Sequence, residues 1–301
     1  MTARVLKASA RPTTAALRRQ VLRWFAGHGR DLPWRRTRDP WRVLVSEVML
    51  QQTQVDRVVP KYEEFVRRWP DPASLAAAPL GDVLAAWSGL GYNRRAARLR
   101  EAAAAVVSRH AGRMPRSVEE LEALPGVGRY TARAVSSFAY GADVTLWDTN
   151  VRRIVLRYLF GGEFSRREPS LADLEAALDA ALPPGRSRDW HGALMDLGSA
   201  VCLGRAPRCA DCPLMRSCAA APRFLAGRAP ARSFVRPQPK FEGSRRQARG
   251  AVVRMLARAG DKGTAAAEVE AALARPDAAA VIDALVNEGL AVRDGRLLRL
   301  P

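Results

Sequence analysis

Apolar residues recur at spacings of three and four from residue 13 to about residue 221. Leu17–Val21–Leu22–Phe25, Leu84–Trp87 and Ala102–Ala105–Val106 show the pattern. That period gathers side chains on one face of a helix. Few stretches alternate with period two, so this region is expected to be nearly all helix. Asp39–Pro40 supplies an N-cap and a first-turn proline for a helix running through Leu50. Further helices are expected over Ser117–Ala123, Tyr130–Tyr140 and Val151–Phe160. The pattern breaks at 222–244, where Pro222, Pro230, Pro237 and Pro239 are mixed with basic and aromatic residues. This stretch reads as a basic linker.

Residues 245–301 read as a small separate unit. One helix passes through Ala251–Val252–Met255–Leu256. A second starts near Thr264 as N-cap, and a third at Pro276. Residues 290–298 suggest a hairpin with Asp294–Gly295 as its two-residue turn. Three helices and a hairpin predict a winged-helix-like unit or a structural tail. The expected organisation is a basic N-terminal extension (1–14), a main domain (15–221), the linker (222–244) and the C-terminal unit (245–301). No tandem repeat is visible.

Composition narrows the function. The chain has 301 residues and is 48% hydrophobic, enough for a real core. No apolar run approaches the roughly 20 residues of a membrane span, and the N-terminal stretch lacks the apolar region of a secretory signal. A cytoplasmic protein with no membrane partner is expected. The 49 Lys+Arg against 30 Asp+Glu leave a net charge of +19. Such an excess suits a polyanion such as nucleic acid, although Arg-rich, Ala-rich composition accounts for part of it. Binding is expected to weaken steeply with salt.

All four cysteines fall in one short stretch: Cys202, Cys209, Cys212 and Cys218. Cytosolic proteins rarely use cysteine for disulfides, so four close thiols point to a metal or cluster site. Zinc sites usually present two short C-x2-C pairs, and here there is one. A single loop around a 4Fe–4S cluster fits better than a zinc knuckle. Arg205, Arg208 and Arg216 in this stretch would offset thiolate charge or face a phosphate backbone.

Two further features suggest chemistry. Leu124–Pro125–Gly126–Val127–Gly128–Arg129–Tyr130 is a tight glycine turn leading into a helix, whose unpaired N–H groups suit an anion such as a DNA phosphate. An ordinary helix–helix turn has the same pattern. Glu47 lies inside the apolar run Val43–Leu50. Buried there, its pKa rises and it can serve as a general acid; facing solvent, it is unremarkable. Asp148 precedes the helix at Val151, where free N–H groups and the dipole favour its ionised form. A plain N-cap is the alternative. One protonated and one ionised carboxylate suit cleavage of a glycosidic bond.

At these residues the chain resembles the helix–hairpin–helix DNA glycosylases of the endonuclease III superfamily, and among them the adenine DNA glycosylase (MutY-type) branch. The matching stretches are Leu32–Pro33–Trp34–Arg35, Ser46–Glu47–Val48–Met49–Leu50–Gln51–Gln52–Thr53–Gln54–Val55, Gly89–Leu90–Gly91–Tyr92, Leu124–Gly128, Asp148–Thr149–Asn150–Val151 and the four-cysteine loop. They cover about residues 15–221. The resemblance implies an all-α, two-lobed domain with an iron–sulfur loop and DNA in its cleft. It implies that the target base is flipped out of the duplex. Glu47 matches the residue that protonates adenine at N7, and Asp148 the carboxylate that stabilises the sugar cation. Tyr130 and Asn150 match positions that assist them. Arg30, Leu32, Trp34, Arg35 and Leu50 match the wall of the base pocket. Gln52 and Tyr92 match residues that wedge into the vacated stack, and Gly126 and Gly128 carry the phosphate-gripping hairpin.

The resemblance also implies what the reaction is not. Strand-cleaving relatives carry a lysine at the position of Tyr130, so a monofunctional enzyme is expected, with water as nucleophile. The partner is double-stranded DNA with a mismatch or an oxidised base, adenine lying opposite 8-oxoguanine or guanine. A nucleoid-associated monomer is expected. Departures bear on the substrate. Residues 245–301 are too short for the Nudix-like domain that often reads 8-oxoguanine, Asn93 replaces a second tyrosine, and Gly192 stands where Glu or Gln is frequent. A thymine/uracil–guanine mismatch glycosylase is the alternative, though those relatives lack Gln51–Gln52–Thr53–Gln54. A catalytically silent, cluster-bearing DNA-binding protein and a transcription regulator complete the alternatives. A Ser–His–Asp hydrolase is disfavoured further, because His28, His110 and His191 accompany no nucleophile motif.

Overall fold

The computed structural model describes residues 13–165, 169–228 and 240–301. Most of the expected N-terminal extension (1–12) and residues 229–239 of the expected linker lie outside them. The described residues form fifteen α-helices: α1 (Thr14–His28), α2 (Pro40–Leu50), α3 (Val55–Arg68), α4 (Pro72–Ala77), α5 (Leu80–Trp87), α6 (Arg94–His110), α7 (Val118–Glu122), α8 (Arg129–Tyr140), α9 (Thr149–Phe160), α10 (Leu171–Ala181), α11 (Ser187–Ala200), α12 (Ala221–Leu225), α13 (Arg245–Ala259), α14 (Ala266–Leu273) and α15 (Ala278–Asn287). Three short strands, β1 (Thr264–Ala265), β2 (Val292–Asp294) and β3 (Leu297–Arg299), form one antiparallel sheet in the order β1–β3–β2. No strand is found among the described residues before Thr264, in keeping with the helical periodicity of that region.

The chain divides into two compact units, one built from residues 1–31 and 136–237 and the other from 32–135 and 238–301. In the first, α1, α9, α10 and α11 share a core. Leu17 and Val21 of α1 meet Ile154, Val155 and Tyr158 of α9 and Trp190, Leu194 and Leu197 of α11. Each of these buried side chains contributes about 1.5–3 kcal/mol. Cys202, Cys212 and Cys218 pack against the same core. Arg18 donates from Nε to the Ala181 carbonyl at the end of α10, so a cation meets unpaired helix carbonyls.

In the second unit, α2 is the buried element. Asp39 caps it, accepting from the Trp41 N–H at 2.9 Å. Trp41 and every residue from Val43 to Met49 are buried. A helix apolar on nearly all sides has no solvent face, and α3 and α6 pack on it. The C-terminal helices belong to this unit. Val252 and Leu256 of α13, Val269 of α14, Ile282 and Leu285 of α15, and Leu298 of β3 make a small core. Helix α13 packs on α5, and the Gly81 N–H donates to the Pro301 carbonyl at 2.8 Å. A Cβ on Gly81 would come within 2.6 Å of that oxygen.

Three local expectations for 245–301 are corrected. Thr264 does not cap a helix: it pairs with Leu298 in β3, and α14 begins two residues later. The third helix begins at Ala278 rather than Pro276; Arg275 and Asp277 form an ion pair ahead of it. The hairpin is present, but Asp294 pairs with Leu297, so the two-residue turn is Gly295–Arg296. Gly295 has φ +57°, the left-handed first turn position that matches strand twist.

Candidate active-site residues and the cysteine loop

Glu47 is buried, with 6% of its surface exposed. It projects from the buried helix α2, so the solvent-facing alternative does not hold. In the same unit, Leu32 leads into a 3-10 turn at Pro33–Arg35, and Leu32 and Trp34 are buried. Trp34 meets Tyr62 edge-on, with centroids 5.3 Å apart. Arg35, Leu50 and Tyr130 are half-buried. Gln51 Nε2 reaches Thr131 Oγ1 at 3.4 Å, which ties the end of α2 to the start of α8 beside Tyr130.

Gln52 and Tyr92 stand at the tips of two loops, and both are exposed. Both have left-handed backbones, φ +55° and +50°. Such conformations are uncommon in residues other than glycine and persist where neighbours enforce them. The enforcing group is Arg95. Its Nη1 donates to the carbonyls of Val48, Met49 and Gln51 at 2.8, 3.0 and 2.7 Å. Its Nη2 donates to Thr53 Oγ1, Leu90 O and Gly91 O at 3.1, 3.2 and 2.9 Å. One guanidinium thus satisfies the carbonyl end of α2 and binds the Gln52 loop to the Tyr92 loop. Burial pushes its pKa down to about 10, so it stays charged at neutral pH.

The glycine turn has one strict requirement. Gly126 has φ +74°, and a Cβ there would come within 2.6 Å of Arg98 Cβ. Gly128 has neither a left-handed backbone nor a close neighbour. It is exposed, immediately before α8. The close approach expected of both glycines therefore belongs to Gly126, while Gly128 leaves open space at the helix start.

Asp148, Asn150, Arg30 and the cysteines belong to the other unit. Asp148 caps α9, its Oδ1 accepting from the Val151 N–H at 2.6 Å and its Oδ2 from Asn150 Nδ2 at 3.1 Å. The dipole argument predicts an ionised Asp148, but the shift runs the other way. Burial pushes its pKa above the ordinary aspartate value, and the Val151, Asn150 and Arg153 interactions oppose this only in part. Asn150 Oδ1 accepts from Arg153 Nη2 at 2.7 Å. Arg153 also donates to the Gly198 carbonyl and, through Nε, to the Cys202 carbonyl, both at 2.7 Å. Side chains thus link Asp148 to the start of the cysteine loop. A Cβ on Gly198 would come within 2.5 Å of Asn150 Cβ, so the link needs glycine there.

Cys202, Cys209, Cys212 and Cys218 line one cavity, together with apolar residues, Arg157 and Arg208. Arg157 is buried and ion-paired with Glu163. It reaches Cys202 Sγ at 3.5 Å and donates to the carbonyls of Leu203 and Gly204 at 2.6 and 2.8 Å. Burial pushes the Cys209 thiol pKa up, that of Cys212 to about 12 and that of Cys218 to about 11. Arg30 donates from its backbone N–H and its Nε to Asp196, at 2.9 and 2.7 Å. Asp196 is buried on α11.

Arg95, Arg153, Arg157 and Asp196 are the groups that the sequence reading did not single out. Asp196 carried the same signal as Glu47, a carboxylate inside an apolar helix. The arginines carried none, because a basic residue every few positions is ordinary in this composition.

The model of the HhH-GPD superfamily base excision DNA repair proteins matches residues 45–179. The chain is 43% identical to the adenine DNA glycosylase of Mycolicibacterium smegmatis over 239 residues, 79% of each chain. It is 42% identical to the adenine DNA glycosylase of Mycobacterium tuberculosis over 284 residues, 92% of this chain and 91% of that one. Among solved structures, a thermostable thymine-DNA glycosylase superposes with a TM-score of 0.64 at 30% identity, over 69% of this chain and 96% of that one.

Proposed function

The chain belongs to the HhH-GPD superfamily of base excision DNA repair proteins, and within it to the adenine DNA glycosylases; from that premise we propose that it removes adenine mispaired with 8-oxoguanine or guanine from double-stranded DNA and leaves the strand uncut. The adenine leaves the stack, and the enzyme acts on the flipped nucleotide. Glu47 gives its proton to adenine N7, which makes the base a better leaving group. The C1′–N9 bond breaks and its electron pair departs with the base. Asp148, ionised, stabilises the sugar cation, and water adds its oxygen to C1′ while Glu47, now a carboxylate, takes up the proton that the water loses. Asn150 and Arg153 keep the Asp148 carboxylate oriented. Tyr130 offers no amine for a Schiff base, so no covalent enzyme–DNA intermediate leads to strand cleavage.

The observation that carries this reading is Asp148. It is a half-buried carboxylate whose two oxygens are already held by a helix-terminal N–H and by Asn150. The phosphate grip falls to Gly126, Gly128 and the start of α8.

We read the cysteine loop as the seat of a 4Fe–4S cluster held by Cys202, Cys209, Cys212 and Cys218. Four soft thiol donors ring the cavity with no carboxylate or imidazole among its lining, and Arg157 and Arg208 offset thiolate charge. When bound, the cluster cross-links the loop and supplies one-electron chemistry. We read residues 245–301 as winged-helix-like, supported by the three helices and the β1–β3–β2 sheet.

Single-turnover base release tests the function. Duplexes with one A·8-oxoG, A·G, T·G or U·G pair are incubated with the protein, and half of each is then treated with alkali. The expected result is strand cleavage of A·8-oxoG and A·G, only after alkali. Cleavage of T·G or U·G instead assigns the thymine/uracil class. Cleavage without alkali overturns the monofunctional reading.

A further inference from the structure

Helix α13 of the C-terminal segment reaches the loop that carries Tyr92. Arg246, in the first turn of α13, donates from Nη1 to the Tyr92 hydroxyl at 2.7 Å. Its guanidinium lies 5.5 Å from the Tyr92 ring centre and 5.3 Å from that of Phe241. A planar guanidinium set against two rings keeps its donor fork in one orientation. One turn further on, Arg249 forms a two-bond pair with Glu288, at 2.9 and 2.8 Å. Arg94 approaches the same carboxylate at 3.7 Å. Arg246, Arg249, Arg94, Glu288, Gln52 and Tyr92 face a cavity of about 450 Å³. Its volume falls within the roughly 300–1,000 Å³ of ligand-binding clefts.

The cavity is rich in donors. Arg94, Arg95, Arg246 and Arg249 line it with one carboxylate, Glu288, which Arg94 and Arg249 already engage. Such a site favours a ligand that presents acceptors. Gln52 and Tyr92, at its mouth, are the two left-handed residues that Arg95 braces, so the opening is set before anything binds.

We propose that this cavity receives the base left unpaired when the adenine leaves the duplex, and that Arg246 reads the O6/N7 acceptor edge of a guanine-class purine there. This rests on the adenine glycosylase reading above. An arginine fork matches O6 and N7 of guanine, whereas adenine and cytosine present an amino group on the corresponding edge. The C-terminal segment thereby contributes to choosing the opposite base.

The test uses the full chain and duplexes in which the target adenosine carries a 2′-fluorine, so that the glycosidic bond survives. Binding is measured with guanine, 8-oxoguanine, 7-deazaguanine, cytosine or an abasic site opposite. The expected wild-type preference for guanine over cytosine is about tenfold or more, and 7-deazaguanine, which lacks the N7 acceptor, loses most of it. 8-Oxoguanine keeps O6 but carries a hydrogen on N7, so it offers the fork one acceptor and is expected to bind near 7-deazaguanine; binding of 8-oxoguanine above guanine overturns the O6/N7 reading. Arg246→Lys keeps the charge and loses the fork. It is expected to abolish the preference while changing binding to the abasic-opposed duplex by less than about twofold. The inference is overturned if Arg246→Lys weakens all duplexes equally, which indicates a phosphate contact. It is also overturned if wild type binds 7-deazaguanine and guanine alike. Release of unmodified adenine by the wild-type protein is followed on the same strands. Release without an opposite-base preference removes this inference and leaves the function standing. No release from any strand removes the function itself.

Discussion

At the scale of single residues, Asp148 shows how burial and hydrogen bonding contend. Burial raises its pKa, and the donors on its two oxygens pull it back. Base release requires the ionised form, so the acid limb of the pH–rate profile is expected above the ordinary aspartate range. Asn150→Leu removes one of the opposing donors and should move that limb further up, together with a loss of rate. An unmoved limb would show that Asn150 does not tune Asp148. Glu47 was legible in the sequence as one of two readings, since a carboxylate inside an apolar run either is buried or faces solvent, and its burial on α2 decides between them. The direction of the Asp148 shift was not, because the N-cap pattern reports the local dipole and carries no information about burial.

At the scale of elements, two loops and a turn depend on single side chains. Arg95 collects five carbonyls and one hydroxyl from the end of α2 and the two following loops. Arg95→Met would leave those carbonyls unpaired at about 1–3 kcal/mol per buried group, softened where water enters. A fall in melting temperature and a larger fall in DNA affinity are expected, and binding that matches wild type would refute the clamp. Gly126→Ala imposes a left-handed backbone on alanine and a Cβ clash with Arg98. It should weaken duplex binding several-fold, with little effect on the helical circular dichroism signal. The glycine turn was legible because positive φ is a local demand. Arg95 was not, since its partners are scattered from Val48 to Gly91.

At the scale of the whole molecule, charge and pH set the working range. The +19 net charge suits a polyanionic partner. Among the described residues, no helix is long and apolar enough to cross a membrane. His191 is fully buried; its Nδ1 donates to the Ser187 carbonyl at 2.8 Å and its Nε2 accepts from the Leu146 N–H at 3.0 Å. Burial pushes its pKa down to about 4. The folded protein therefore holds it neutral while the unfolded chain takes up a proton near pH 6.5. Its contribution is complete above pH 6.5 and is lost as pH falls toward 4, by up to about 3 kcal/mol. Denaturant titrations of wild type and His191→Gln should show a shallower decline over that window for the variant. Parallel curves would exclude this role.

The sequence by itself determined the features whose causes lie within a few residues. Asp39, Ser117 and Asp148 cap helices because a short polar side chain reaches the N–H groups two or three residues on. The cysteine spacing brought four thiols to one loop, and Gly126 marked the tight turn before α8. Periodicity marked the first 221 residues as helical, and the Asp294–Gly295 pair marked the C-terminal hairpin one residue ahead of its turn. Tertiary structure decided what depends on distant partners. Thr264 became a strand residue because Leu298 was there to pair with it. Arg153 and Arg157 became buried links to the cysteine loop because Gly198 and Glu163 received them. The C-terminal helix α13 came to rest beside Tyr92, some 150 residues earlier in the chain. Local patterns record which conformations a segment prefers. Burial and long-range hydrogen bonds decide which of its polar groups acquire a function, and they exist only once the chain has closed on itself.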